Sequence, residues 1–268
     1  MKNKSNNLKK GDYIIENKEE LLHRRKNKKK VRSLMFLVII MISTLITLCF
    51  KLPYFNITKI EIIGNVNASK TQINDIAKIH LGSNILYARF NDSKQKIMKN
   101  PYILGVEIKK VMPNKIIINI EEKVALFYGK VNNTYYIIDR DGSLLEKRAD
   151  IKGMKLINLI GFNYEKIAVG NLIGAKNDRK ISIIKEITTI VEDYRKTNSN
   201  SNITLVDVSN VLDVKVFAGE MCIKFGTTQN LKSKFNKAIN IITQPEYKNA
   251  KGYVDVSFEG NPVVFLEK

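Results

Sequence analysis

The sequence predicts an α+β protein, carried on a single N-terminal transmembrane helix and divided into two exported domains, the second with a mainly antiparallel sheet. Three observations predict this. Residues 33–50 carry no charge and are almost wholly apolar. Residues 54–123 read as strand, helix, helix, strand, strand. After residue 124, alternating apolar and polar residues return, interrupted by two segments of helical period. The 268 residues allow one or two modest domains beyond the apolar run. Two cysteines exclude a disulfide-scaffolded domain, because Cys49 lies within that run. Two histidines, His23 and His80, exclude a multi-histidine metal site.

The apolar run Leu34–Phe50, extended by Ser33 and Leu52, approaches the ~20 residues that span a ~30 Å hydrocarbon core. Ser43 and Thr44 can return their hydroxyls to the helix backbone. A cleavable signal peptide is disfavoured by the long basic leader and by the absence of a small-x-small site in CFKLPYFN. Arg24, Arg25, Lys26, Lys28, Lys29, Lys30 and Arg32 crowd the N-terminal side, whereas Lys51 and Lys59 alone lie close on the other. This asymmetry predicts a cytoplasmic N-terminus and an extracellular C-terminal portion. The same cations suit anionic headgroups, but a topology signal in a floppy tail is sufficient to explain them. The expected divisions are a basic cytoplasmic tail (1–32), a transmembrane helix (33–52) and domains at 53–123 and 124–268.

In the first exported domain, Phe55, Ile57, Ile60 and Ile62 lead to Gly64-Asn65, a strand ending in a turn. Ser69-Lys-Thr-Gln72 has the spacing of a capping box. Ile73, Ile76, Ala77 and Ile79 continue at helical spacing until Gly82 breaks the pattern. Asp92 with Gln95 is expected to cap a second short helix, stopped by Asn100-Pro101. Val106–Val111 and Lys115–Ile120 are strand-like runs around Met112-Pro113-Asn114. A three-stranded sheet with two helices on one face would bury both apolar surfaces.

In the second domain, Asp141-Gly142 between Tyr135–Ile138 and Leu144-Leu145 predicts a tight hairpin. Ile183, Ile184, Ile187, Ile190, Val191 and Tyr194 mark an amphipathic helix over 177–196. A polar connector at 197–202 precedes strand-like runs at Ile203–Val208, Val211–Phe217 and Met221–Phe225. A second helix over 229–243 carries Leu231, Phe235, Ala238, Ile239 and Ile242. The final strand is read as Tyr253–Phe258, followed by Gly260-Asn261-Pro262 and Val263-Val264-Phe265-Leu266.

The strand ending in Gly64-Asn65, the Ser69-capped helix, Gly82-x-Asn84-Ile85-Leu86, Asn100-Pro101-Tyr102-Ile103 and Val106-x-Ile108 through Pro113 to Ile116-x-Ile118 together resemble a POTRA domain. A POTRA domain directly after one anchor resembles the FtsQ/DivIB family of bacterial division proteins. Further pieces match in order: Tyr136-x-x-Asp139-x-x-Gly142, Gly226 with Leu231 and Lys234, and Gly252–Phe258. The resemblance covers residues 30–268. It implies a non-catalytic, single-pass scaffold of the division septum, without cofactors. Its implied partners are the bitopic proteins DivIC (FtsB) and FtsL and the septal penicillin-binding transpeptidase, whose peptidoglycan synthesis it would regulate. The contact position that is usually tyrosine in this family corresponds to Phe258, which lacks the hydroxyl.

Catalytic equipment is not legible. His80 has no nucleophile motif beside it, and Ser-x-x-Lys at Ser93–Lys96 and Ser182–Lys185 comes without its partner motifs. Asp139, Asp141 and Gly142 lack the further ligands of a calcium loop. Glu121-Glu122 reads as a solvated pair and Cys222 as a buried small hydrophobe. Binding remains. Tyr253, Val254, Asp255, Val256, Ser257 and Phe258 are expected to lie at a sheet edge and to accept an extended partner segment by backbone pairing. Two other classes compete: a POTRA-containing export component and a membrane-anchored wall hydrolase. The first needs a C-terminal series of lipid-facing strands, and the two helical segments argue against that.

Overall fold

The computed structural model describes residues 18–197, 202–247 and 250–267, so most of the polar connector at 197–202 lies outside the described residues. Contacts divide the chain into two compact units. One holds the residues up to Glu61 with His80–Arg89 and Lys110–Ile117; the other holds Ile62–Ile79, Phe90–Lys109 and the residues from Ile118 onward.

The first unit begins with helix α1, Lys18–Lys51. At 1.5 Å per residue its 34 residues measure about 50 Å, more than a hydrocarbon core requires. Its Leu22–Leu48 stretch contains an apolar window long enough to cross a membrane, and none of that window is buried in the protein. Thr44 and Thr47 return their hydroxyls to the carbonyls of Ile40 and Ser43 at 2.8 Å, which lets polar side chains sit in an apolar helix. Beyond α1, the loop after His80 is tied down by backbone bonds. Ile57 donates to Ser83, Gly82 to Ile57 and Ile85 to Phe55, all at 2.8 Å.

In the second unit, helix α2 (Lys70–Ala77) starts with the expected capping box. The Ser69 hydroxyl accepts the Gln72 N–H at 3.1 Å, and the Gln72 side chain accepts the Ser69 N–H at 3.3 Å. The helix ends earlier than expected. Lys78 takes the left-handed conformation (φ 48°), so Ile79 lies outside it. Helix α3 (Asn91–Ile97) also differs from expectation. Phe90 is its N-cap and makes no side-chain cap bond; Asp92 sits in the first turn and pairs with Lys96 at 3.4 Å. Ile62, Ile73, Ala77, Ile97, Ile118 and Ile120 are buried, the positions where the apolar periodicity of strand and helix falls.

Strands β1 (Lys59–Ile63), β2 (Ile103–Val111) and β3 (Lys115–Glu122) form a sheet in the order β1-β3-β2. The remaining strands are β4 (Ala125–Val131), β5 (Thr134–Asp139), β6 (Leu144–Arg148), β7 (Ile157–Ile160), β8 (Ile203–Asp207), β9 (Val214–Ala218), β10 (Met221–Gly226), β11 (Gly252–Asp255) and β12 (Val263–Leu266). They form one nine-stranded sheet in the order β12-β11-β10-β9-β8-β7-β4-β5-β6. Pairing is mainly antiparallel, with β4–β7, β7–β8 and β10–β11 parallel. Helices α4 (Arg179–Thr197) and α5 (Leu231–Ile242) supply the crossovers for β7–β8 and β10–β11, while β4 reaches β7 by way of β5 and β6. Ile183, Ile184, Ile187 and Val191 of α4 and Leu231, Phe235 and Ala238 of α5 join the inward residues of the strands in one buried cluster.

Two sequence features gain a physical cause. Asp139, almost fully buried, accepts the N–H groups of Asp141 (2.9 Å) and Ser143 (2.7 Å) on Oδ1 and lies 3.5 Å from Lys123 Nζ on Oδ2. It therefore organises the expected β5–β6 hairpin, in which Gly142 takes φ 85°. Gly129 lies under the Tyr164 ring, where a Cβ would come within 2.2 Å of the ring. Tyr164 is fixed there by its hydroxyl, which donates to Leu159 O at 2.5 Å, and by stacking on Tyr136.

Candidate partner-docking edge

The expected docking strand is not at the edge of the sheet. β11 pairs with β10 on one side and with β12 on the other. Val263–Leu266, expected to follow the final strand, instead form the edge strand of the sheet. A short β-branched and aromatic run after Gly-Asn-Pro is a hairpin signal that could have found it. Tyr253 is half-buried, with its ring stacked on Phe265 at 5.2 Å and Lys224 Nζ 3.5 Å from the ring centroid. Val254 and Val256 are core residues, and the Val256 N–H donates to Lys224 O at 2.9 Å. Asp255 accepts the Ser257 N–H at 2.9 Å. Of the six expected residues only Phe258 is largely exposed, at 47%.

The sheet ends in two contrasting strands. β6 presents Glu146, Lys147 and Arg148, with Glu146 and Arg148 paired at 3.3 Å; charge of this kind protects an edge from further pairing. β12 presents Val263, Phe265 and Leu266, each exposed by between 43% and 50%. Its register with β11 sets which amides are open. Glu267 donates its N–H to Lys251 O at 2.8 Å, and Gly252 faces Leu266. Because hydrogen-bonded and non-hydrogen-bonded positions alternate in an antiparallel pair, Val263 and Phe265 direct their backbone groups inward to β11. Val264 and Leu266 direct theirs outward. An ion pair between Lys251 and Glu267 at 2.5 Å closes the end of this pair, and that hydrogen bond holds the Lys251 ammonium above its ordinary range.

The turn into β12 is held by a residue to which sequence reading gave no physical role. Lys234 of α5 donates its ammonium to Phe225 O (2.9 Å), Thr227 O (3.3 Å) and Ser257 O (3.3 Å). It thereby ties the ends of β10 and β11 together. Gly226 (φ 64°) allows the approach, since a Cβ there would stand 2.8 Å from Ser257 Cβ. Burial pushes the Cys222 thiol up, in keeping with its place within β10.

A groove of about 680 Å³ is lined by Tyr194, Ile203, Met221, Ile239 and Tyr247, with Glu220 the sole carboxylate among its described lining residues. Among the described residues no three His, Cys, Asp or Glu side chains are gathered as a metal site would need. Lys123 and Lys234 are both committed to the fold. The seven cations read as a topology signal all lie on α1 and are exposed.

A family model described as POTRA domain, FtsQ-type, matches residues 55–123. The cell division protein DivIB of Clostridium botulinum (strain Hall) is 43% identical over 251 residues, covering 93% of this chain and 97% of that protein. DivIB of Clostridium acetobutylicum is 40% identical over 228 residues, covering 85% and 89%. DivIB of Bacillus subtilis is 30% identical over 173 residues, covering 63% and 66%. Fold and sequence thus define a POTRA protein of FtsQ type, in which one apolar N-terminal helix fits a single-pass membrane protein. The chain belongs to the DivIB/FtsQ family of cell division proteins.

Proposed function

We propose that this protein is a non-catalytic scaffold of the bacterial division septum, acting outside the cell through an exposed strand edge. Residues 1–32 form a basic cytoplasmic tail and 33–52 the membrane span; 53–123 form the POTRA domain and 124–268 the partner-binding domain. A DivIC-like (FtsB-like) bitopic protein adds an extended segment to β12, an FtsL-like protein joins that complex, and the assembly regulates the septal penicillin-binding transpeptidase and its peptidoglycan synthesis by contact. The observation that carries this reading is the apolar, half-exposed β12, with the amides of Val264 and Leu266 turned outward. Strand addition draws affinity from such amides and specificity from alternate side chains. In place of the 253–258 segment, the contact strand becomes 263–266, with Phe258 on the turn that leads to it.

Val264→Pro tests the docking. Proline removes one outward N–H and projects its ring into the path of an added strand, while leaving the inward ladder bonds of Val263 and Phe265. Capture of the extracellular portion of a DivIC-like protein is expected to weaken by about tenfold or more, with circular dichroism unchanged. Undiminished capture by the folded variant defeats the proposal. Leu266→Pro, nearer the end of the strand, is the second variant should the first lose its fold.

A further inference from the structure

We propose that the N-terminal part of α1 is a binding site for the headgroups of anionic phospholipids. Arg24, Arg25, Lys26, Lys28, Lys29, Lys30 and Arg32 do not sit on a floppy leader; they share one unbroken helix with the apolar run, and all are exposed. A helix advances about 1.5 Å per residue, so Lys28 to Arg32 occupy the ~6 Å immediately outside the apolar segment. That is about the depth of one headgroup layer, the difference between the ~30 Å core and the ~40–45 Å bilayer shared between two faces. Arg24 to Lys26 follow within about one further turn.

The arrangement suits several lipids at once. Arg25, Lys28, Lys29 and Arg32 recur at the i, i+3, i+4 and i+7 spacing of one helix face, and Lys26 and Lys30 lie beside it. No Asp or Glu occurs between residues 21 and 60; Glu19 and Glu20 come about one turn before Arg24, rather than beside the face formed by Lys28, Lys29 and Arg32. Long aliphatic stems let lysine and arginine follow the apolar boundary while their charged ends reach phosphate. A topology signal needs only the charges. A headgroup site also needs each of them held at a fixed depth beside the apolar boundary, and the continuous helix supplies that. The partner is the lipid rather than a soluble polyanion, because the span places these cations where headgroup phosphate is concentrated. This inference is independent of the docking at β12.

The test uses the full chain in phosphatidylcholine vesicles doped with spin-labelled phosphatidylglycerol or spin-labelled phosphatidylcholine, reading the motionally restricted fraction of each label. The native chain is expected to favour phosphatidylglycerol by about threefold at low salt, declining toward no preference in high salt. The variant R25Q/K28Q/K29Q/R32Q, which keeps good helix formers, is expected to lose most of the preference with helicity unchanged. Val31→Pro retains every charge but interrupts the helix, and is expected to reduce the preference by about half or more. Equal restriction of the two labels by the native chain overturns the proposal, as does an undiminished preference in the four-residue variant or in Val31→Pro. Abolition of the preference by duplex DNA at equal phosphate concentration also overturns it, in favour of a general polyanion site.

Discussion

Glu122 and Lys234 perform one task with opposite charge. At the end of β3, the Glu122 carboxylate accepts the N–H groups of Val66 (2.8 Å), Asn67 (2.8 Å) and Ala68 (3.0 Å), and the Asn67 side-chain amide at 3.0 Å. On α5, the Lys234 ammonium donates to three carbonyls. The sign follows from which backbone groups the chain leaves over. Residues 66–68 run into the N-terminus of α2, where N–H groups lack partners. The segments after β10 and β11 leave ladders, and there carbonyls remain. Each site also has a glycine at positive φ, Gly64 (83°) in one and Gly226 (64°) in the other. A loop can therefore be closed by one long side chain whose charge is chosen by local backbone polarity.

The largest expected effect separates the two glycines. A Cβ at Gly64 would stand 2.1 Å from Ile120 O, a backbone atom that cannot swing aside, whereas Gly226 meets the Ser257 side chain. Gly64→Ala should cost about 3 kcal/mol in denaturant unfolding, through steric overlap and a strained φ. Gly226→Ala should cost less, and equal losses would break the distinction. Next, Lys234→Met removes a charged donor from three carbonyls and should cost about 2 kcal/mol. Amide exchange should accelerate at 257–262 before it does so at 66–68. Glu122→Gln, a half-exposed site that keeps an acceptor, should cost about 1 kcal/mol and accelerate exchange at 66–68 instead.

Acid sharpens the contrast further. Burial pushes the Glu122 carboxyl up, but the N–H groups of Asn67, Ala68 and Val66 and the Asn67 amide outweigh it and hold it below its ordinary 4.5. Its contribution is thus fully present above about pH 4.5 and lost as pH falls through the lower folded value. Exchange at 66–68 should accelerate over that range in the native chain and be pH-independent in Glu122→Gln after correction for intrinsic rates. A matching acid response in Glu122→Gln would show that another group is responsible.

Much of this architecture was legible because periodicity and caps are local. The α2 capping box, the Asp141-Gly142 hairpin and the apolar faces of α4 and α5 each follow from residues within one or two turns of each other. What escaped depends on partners far along the chain. Glu122 looked like half of a solvated pair because its donors lie 54 to 56 residues away. β4 and β7 carry weak alternation and were not expected; they are strands because of their neighbours. The sheet edge was expected one strand too early because strand order is not written in strand pattern. Beyond Pro262 the chain returns as β12 and covers the edge that 253–258 was expected to present.

The nine-stranded sheet is joined at its middle by very little main chain. β7 has four residues, in register with β4 at two positions and with β8 at three, while β4 and β5 match at six. The antiparallel blocks on either side, β4-β5-β6 and β8-β9-β10, are thus riveted through a narrow seam, and the isoleucines of α4 share one buried cluster with residues of both blocks. Under tension between those blocks, the few ladder positions of the seam are expected to open before the longer β4–β5 ladder does.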